Sequence, residues 1–102
     1  MLFVATLKHS PENCLMRPEN QDAAKAILEH MKDLDKLQKE TGVYLRGSYV
    51  SPIEHTFYFI LETDDFSGVH KFFGDDMLIR HTAKITPVIE EFHPDWKKDQ
   101  NR

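Results

Sequence analysis

A chain of 102 residues, 40% hydrophobic and 11% aromatic, has the composition of one globular domain, which excludes a disordered segment or a two-domain protein. Its net charge of −4 argues against nucleic acid as a partner, because phosphate binding needs a basic surface, and its basic residues are interleaved with acids apart from Lys97-Lys98. The single cysteine, Cys14, permits no intramolecular disulfide, no apolar run reaches membrane-spanning length, and Met1 to Leu7 lacks the basic lead-in of a signal peptide, so a soluble cytoplasmic protein is expected.

Leu2 to Lys8 is a short apolar run that predicts a buried first strand. His9 to Asn20 follows as a loop bounded by Pro11 and Pro18, long for a small domain, and long loops often carry function. Its His9, Ser10, Glu12, Asn13, Cys14 and Arg17 suit a lid or rim beside a site. Asn20 is a plausible N-cap for a helix over Gln21 to Thr41, in which Ala24, Ile27, Leu28, Met31, Leu34 and Leu37 recur at three- and four-residue spacing. Gly42 ends that helix as its C′ residue.

Val43 to Val50 reads as a second strand, Pro52 as a turn, and His55 to Glu62 as a third strand. Thr63-Asp64-Asp65 supplies caps for a second helix over Asp65 to Phe73, stopped by Gly74, with one further short turn over Asp76 to His81. Ala83 to Glu90 is the fourth strand, and Pro87 inside it requires an edge position, because proline has no donor for a central ladder. His93 to Arg102 is a polar tail beyond a single domain of residues 1–92.

The order β-α-β-β-α-β in a chain of this length predicts an α+β, ferredoxin-like sandwich. Its antiparallel four-stranded sheet takes the order 4-1-3-2, with two helices on one face. Side chains alternate across strands, so Phe3, Ala5, Leu7, Phe57, Phe59, Leu61, Ala83, Ile85, Pro87 and Ile89 fall under the helices. The opposite face mixes Leu2, Val4, Ile60 and Val88 with Thr6, Lys8, Thr56, Tyr58, Glu62, Lys84, Thr86 and Glu90. Gly47 can host a bulge that would shift the phase of the second strand; in the parity that fits the other strands, Tyr44, Arg46 and Ser48 join this face. Such a face is too apolar for open water and too polar for a dry core, so two copies are expected to pair sheet to sheet as a homodimer around a partly polar cavity.

The opening strand followed by Ser-Pro-Glu-Asn13, the junction Leu-Glu-Thr-Asp-Asp65, Val-His-Lys-Phe-Phe73 and Ile-Thr-Pro-Val-Ile-Glu90 resemble the dimeric α/β barrel superfamily. That group includes antibiotic-biosynthesis-type monooxygenases and muconolactone-isomerase-like enzymes, and the nearest likeness is to a small uncharacterised branch. The resemblance covers residues 1 to 92 and implies fold more than activity. It implies a small-molecule ligand in a sheet-face cavity and, as one outcome, cofactor-free oxygenation or isomerisation. The superfamily often carries a histidine where His70 stands, which makes His70 a candidate general acid or base.

Tyr58 is the candidate donor to a carbonyl or enolate oxygen, and Arg46 or Lys8 the candidate holder of a carboxylate or oxyanion. Tyr58, His70 and Arg46 are thus the expected catalytic residues, with Lys8, His9, Glu62 and Glu90 as ligand-binding residues. The bland reading of the charges is a pair of ion pairs, Lys8 with Glu90 and Arg46 with Glu62. Histidines at 9, 30, 55, 70, 81 and 93 show no i, i+4 pair and no zinc-type spacing with Cys14, so no metal site and no cofactor are assigned. Convergence in three dimensions, such as His9, His55 and His81 with Glu54, is the remaining route to a metal. His30 is expected to face solvent and Cys14 to be a free thiol. The functional expectation is a small-molecule-binding α/β-barrel protein, with a non-catalytic ligand- or metal-binding protein using clustered histidines as the alternative.

Overall fold

The computed structural model describes residues 1–91, and the tail expected over residues 93–102 lies outside them. Strand β1 (Leu2–Lys8) alternates half-buried and buried residues, the covered set being Phe3, Ala5 and Leu7. It is flanked on both sides, by β3 (Thr56–Glu62) and by β4 (Thr82–Val88). With β2 (Tyr44–Ser51) these form a four-stranded antiparallel sheet in the order β2-β3-β1-β4, which reads β4-β1-β3-β2 from the opposite edge. Strand β4 is an edge strand, the position that Pro87 requires.

Four helices cover one face of the sheet: α1 (Gln21–Met31), α2 (Leu34–Thr41), α3 (Val69–Phe73) and α4 (Asp75–Arg80). Phe3, Ala5, Leu7, Phe59 and Leu61 from the sheet meet Ile27, Leu37, Val69, Phe72, Phe73 and Met77 from the helices in one core. The Phe73 ring lies 5.3 Å from both Phe59 and Phe72 in tilted and edge-on arrangements. Burial of each such side chain contributes about 1.5–3 kcal/mol before conformational entropy is counted. No helix among the described residues is long and apolar enough to cross a membrane.

The single helix expected over Gln21 to Thr41 is two. Asp33 leaves the helical region (φ −109°, ψ 79°), and its carboxylate accepts the Lys36 amide hydrogen at 3.2 Å to start α2 afresh. Aspartate competes in this way with the helical ladder, so local capping overrides the continuous apolar period. Asn20 precedes α1, but its side chain does not cap it. Instead Nδ2 donates to the carbonyls of Glu12 (2.8 Å) and Cys14 (2.9 Å), folding the loop back on itself. Gly42 ends α2 at φ +73°, its amide donating to the Gln38 carbonyl at 2.8 Å. The second helical segment is also divided. Asp65 caps a 3-10 turn over Phe66–Gly68, and Gly74 separates α3 from α4.

Register slips between Leu45 and Gly47, so Arg46 is the extra residue of a bulge. Beyond it Gly47 stands opposite Ile60 and Tyr49 opposite Tyr58, on the helix-free face. Ser48 stands opposite Phe59 and turns to the helix side, which corrects its assignment to the mixed face.

Candidate functional site

Two places gather chemistry-bearing side chains. The first is the helix-free sheet face. Along β1, Leu2 lies between Glu62 and Val88, Val4 between Ile60 and Thr86, Thr6 between Tyr58 and Lys84, and Lys8 between Thr56 and Thr82. Leu2, Val4, Ile60 and Val88 are only half-buried although three of them sit on the two central strands, and Tyr49 is 64% exposed.

At one end of this face the Arg46 guanidinium pairs with the Glu62 carboxylate and lies 5.7 Å from the centroid of the Tyr44 ring. Nearer the other end the Tyr58 hydroxyl donates to Glu54 Oε1 at 2.9 Å. That bond to a carboxylate raises the Tyr58 phenol above its ordinary value, so the hydroxyl stays a donor at neutral pH. Lys8 is exposed at the end of β1 opposite to Leu2, whereas Glu90 lies past Val88 beside the Leu2 end. The strand register therefore rules out a Lys8–Glu90 ion pair within one chain and separates two of the expected ligand-binding residues.

His70 stands apart from both. It projects from α3 in the helix layer, is largely exposed, and meets Asp75 Oδ1 at 2.7 Å through Nε2. Of the expected catalytic residues, Tyr58 and Arg46 share a sheet face and His70 does not join them. His30 is exposed but not idle, because its Nε2 lies 3.0 Å from the Phe72 carbonyl and 3.1 Å from that of Lys71, tying α1 to the end of α3. The ring thus faces solvent, as expected, while also bridging two helices.

The second place is the C-terminal end of β1. His9 is buried, and its backbone amide donates to the His55 carbonyl at 3.1 Å, joining the strand end to the β2–β3 turn. His55 occupies the last position of that turn at φ +51°, a left-handed conformation in which histidine, like asparagine and aspartate, is enriched among residues other than glycine. His81, also buried, stands just before β4. Its Nδ1 lies 2.7 Å from the Met77 carbonyl and its Nε2 lies 3.1 Å from His9 Nδ1.

A carbonyl only accepts, so His81 Nδ1 carries the hydrogen and its Nε2 presents a lone pair. His9 Nδ1 must then donate, leaving a bare lone pair on His9 Nε2. Burial, aided for His9 by the neighbouring imidazoles of His81 and His55, holds both rings below the ordinary imidazole value and keeps them neutral. His9 Nε2 is itself buried and has no hydrogen-bond partner among the described residues.

Donor atoms of His9, Cys14 and His55 all lie within 4.8 Å of one another. Beside them opens an apolar cavity of about 450 Å³, walled by Leu15, Met16, Val50, Pro52 and Phe57. Of the convergence considered from sequence, His9, His55 and His81 do meet, while Glu54 is engaged by Tyr58. Cys14 was not part of that set. Nothing in its spacing signals the approach, which depends on Asn20 folding the loop back toward the strand end.

The sheet, its one-sided helix layer and this end cluster define a small α+β protein with an open sheet face. Residues 1–91 match the family described as Domain of unknown function (DUF3303), and the chain belongs to that family. No curated protein matches the chain.

Proposed function

We propose that the protein is a cytoplasmic, homodimeric small-molecule-binding protein, a ferredoxin-like domain whose helix-free sheet faces pair as a dimeric α/β barrel around a ligand cavity. The observation that carries this reading is the half-buried strip of Leu2, Val4, Ile60 and Val88 flanked by Tyr44, Tyr49 and Tyr58. Contiguous apolar surface of that kind on a sheet face is characteristic of an interaction site rather than of solvent. Binding fits better than catalysis. A cofactor-free monooxygenase or isomerase needs an acid–base pair aimed at one point, whereas Tyr58 is held by Glu54, Arg46 by Glu62, and His70 lies in the helix layer.

Sedimentation at micromolar concentration tests the pairing. A dimer is expected, and Ile60→Asp, which sets an unpaired charge in the strip, should yield monomer or unfolded chain. A stable wild-type monomer overturns the reading. Oxygen consumption with an enolisable aromatic compound, abolished by Tyr58→Phe, would move the assignment to a monooxygenase.

A further inference from the structure

We propose that His9 Nε2, Cys14 Sγ and an imidazole nitrogen of His55 form a binding site for a transition-metal ion of the Zn²⁺ class. The buried, unpartnered lone pair of His9 points to it most directly. A polar atom left bare in the interior costs free energy unless something fills it, and a metal ion is the partner that a neutral imidazole nitrogen accepts best. The opposite ring nitrogen is already fixed by donation to His81, which is fixed in turn by the Met77 carbonyl. Metal-binding histidines are held in this way, with the second ring nitrogen donating to an acceptor that sets tautomer and orientation.

The donor set decides the ion. One thiol and two imidazoles suit zinc, cobalt or copper and disfavour magnesium and calcium, which take oxygen ligands. In a tetrahedral zinc site neighbouring ligand atoms are about 3.4 Å apart, so the longest edge here, within 4.8 Å, closes by about 1.4 Å at most. Cys14 follows the 3-10 turn Pro11–Asn13 in a half-buried loop, the element best able to make that movement. Three protein ligands leave a fourth position open, and all three residues line the apolar cavity shared with Met16 and Phe57, which has room for a further ligand. Coordination takes the Cys14 thiol as thiolate, and its proton passes to solvent. All three ligands come from one copy, so the site stands whether or not the chain dimerises.

The test uses the full chain, stripped with a chelator and titrated with Co²⁺. The expected result is a thiolate-to-cobalt charge-transfer band in the near ultraviolet together with strong tetrahedral visible bands, saturating at one equivalent and displaced by Zn²⁺. Cys14→Ser should abolish the charge-transfer band. His55→Asn, which keeps a residue tolerant of the left-handed turn, should weaken Co²⁺ binding by about tenfold or more, a loss of the size seen when a metal site is disturbed. Both variants leave His9 itself and its bond to His81 in place, although His55→Asn removes the ring that stands edge-on to His9. Melting curves in chelator are therefore recorded beside the titration and should show a folded chain. Absence of the charge-transfer band in the wild type overturns the site. So does Co²⁺ affinity unchanged in His55→Asn, since the ion would then sit elsewhere.

Discussion

The ring of His81 stands edge-on to that of His9, their planes 89° apart and their centroids 4.9 Å apart, with Nε2 of one facing Nδ1 of the other at 3.1 Å. Protonating His81 at Nε2 sets two donors against each other, and protonating His9 at its bare Nε2 buries a charge with no acceptor. The pair therefore couples the fold to pH.

Both rings hold pKa values below the ordinary imidazole value of 6.5, through burial first. A base whose folded pKa is depressed binds fewer protons folded than unfolded, so its contribution is whole above 6.5 and is lost as pH falls below it. Thermal melts from about pH 7.5 down to about pH 5.5 should show a falling Tm, with a slope of at most about 1.4 kcal/mol per pH unit for each ring that stays neutral. His81→Phe should flatten this dependence. A wild-type Tm that holds level across the window would show that the rings charge freely in the folded state.

Asn20 is buried and makes three hydrogen bonds with its side chain, donating to Glu12 and Cys14 and accepting from Arg80 at 3.2 Å. Asn20→Ala should cost about 2–3 kcal/mol, read as a lowered urea midpoint, since it strands partners in a partly buried place. It should also speed modification of Cys14 by a thiol reagent, because the loop that carries the thiol loses its tie. Stability lost without any change in thiol reactivity would separate Asn20 from the site.

Gly68 sits against the end of α2, and a Cβ there would lie 2.1 Å from the Thr41 carbonyl oxygen and 3.3 Å from Val43 Cγ2. Backbone cannot yield as a side chain does, so Gly68→Ala should destabilise by about 3 kcal/mol or more. Chemical denaturation measures it. A cost below about 1 kcal/mol would mean that the α2–β2 corner shifts freely.

Strand order and the faces of β1 and β3 were legible in the sequence because they rest on strong, repeated signals: alternation in both strands, Pro87 at an edge, and Gly42 at a helix end. The fourth strand was read too long, since Ile89, expected under the helices, lies past Val88 and is 91% exposed. The break at Asp33 was not, because one capping side chain competes there against a continuous apolar period, and the outcome depends on how Leu34 and Leu37 pack. Ser48 was misplaced by a single residue of bulge, which exchanges every following side chain between faces. The histidine cluster was half legible. His9, His55 and His81 lie at element ends that the topology brings together, but Cys14 reaches them only through a loop geometry set by Asn20, and loop geometry leaves no periodic trace.

Both margins of the sheet are interrupted, one by the bulge at Arg46 in β2 and the other by Pro87 in β4. A strand margin with intact hydrogen-bonding groups is a template on which further chains can stack, as in fibril growth. Here Arg46 interrupts β2 at its third residue and Pro87 interrupts β4 one residue from its end. A further strand laid along either margin would meet a bent ladder or a residue with no hydrogen to donate, which makes both margins poor templates for stacking.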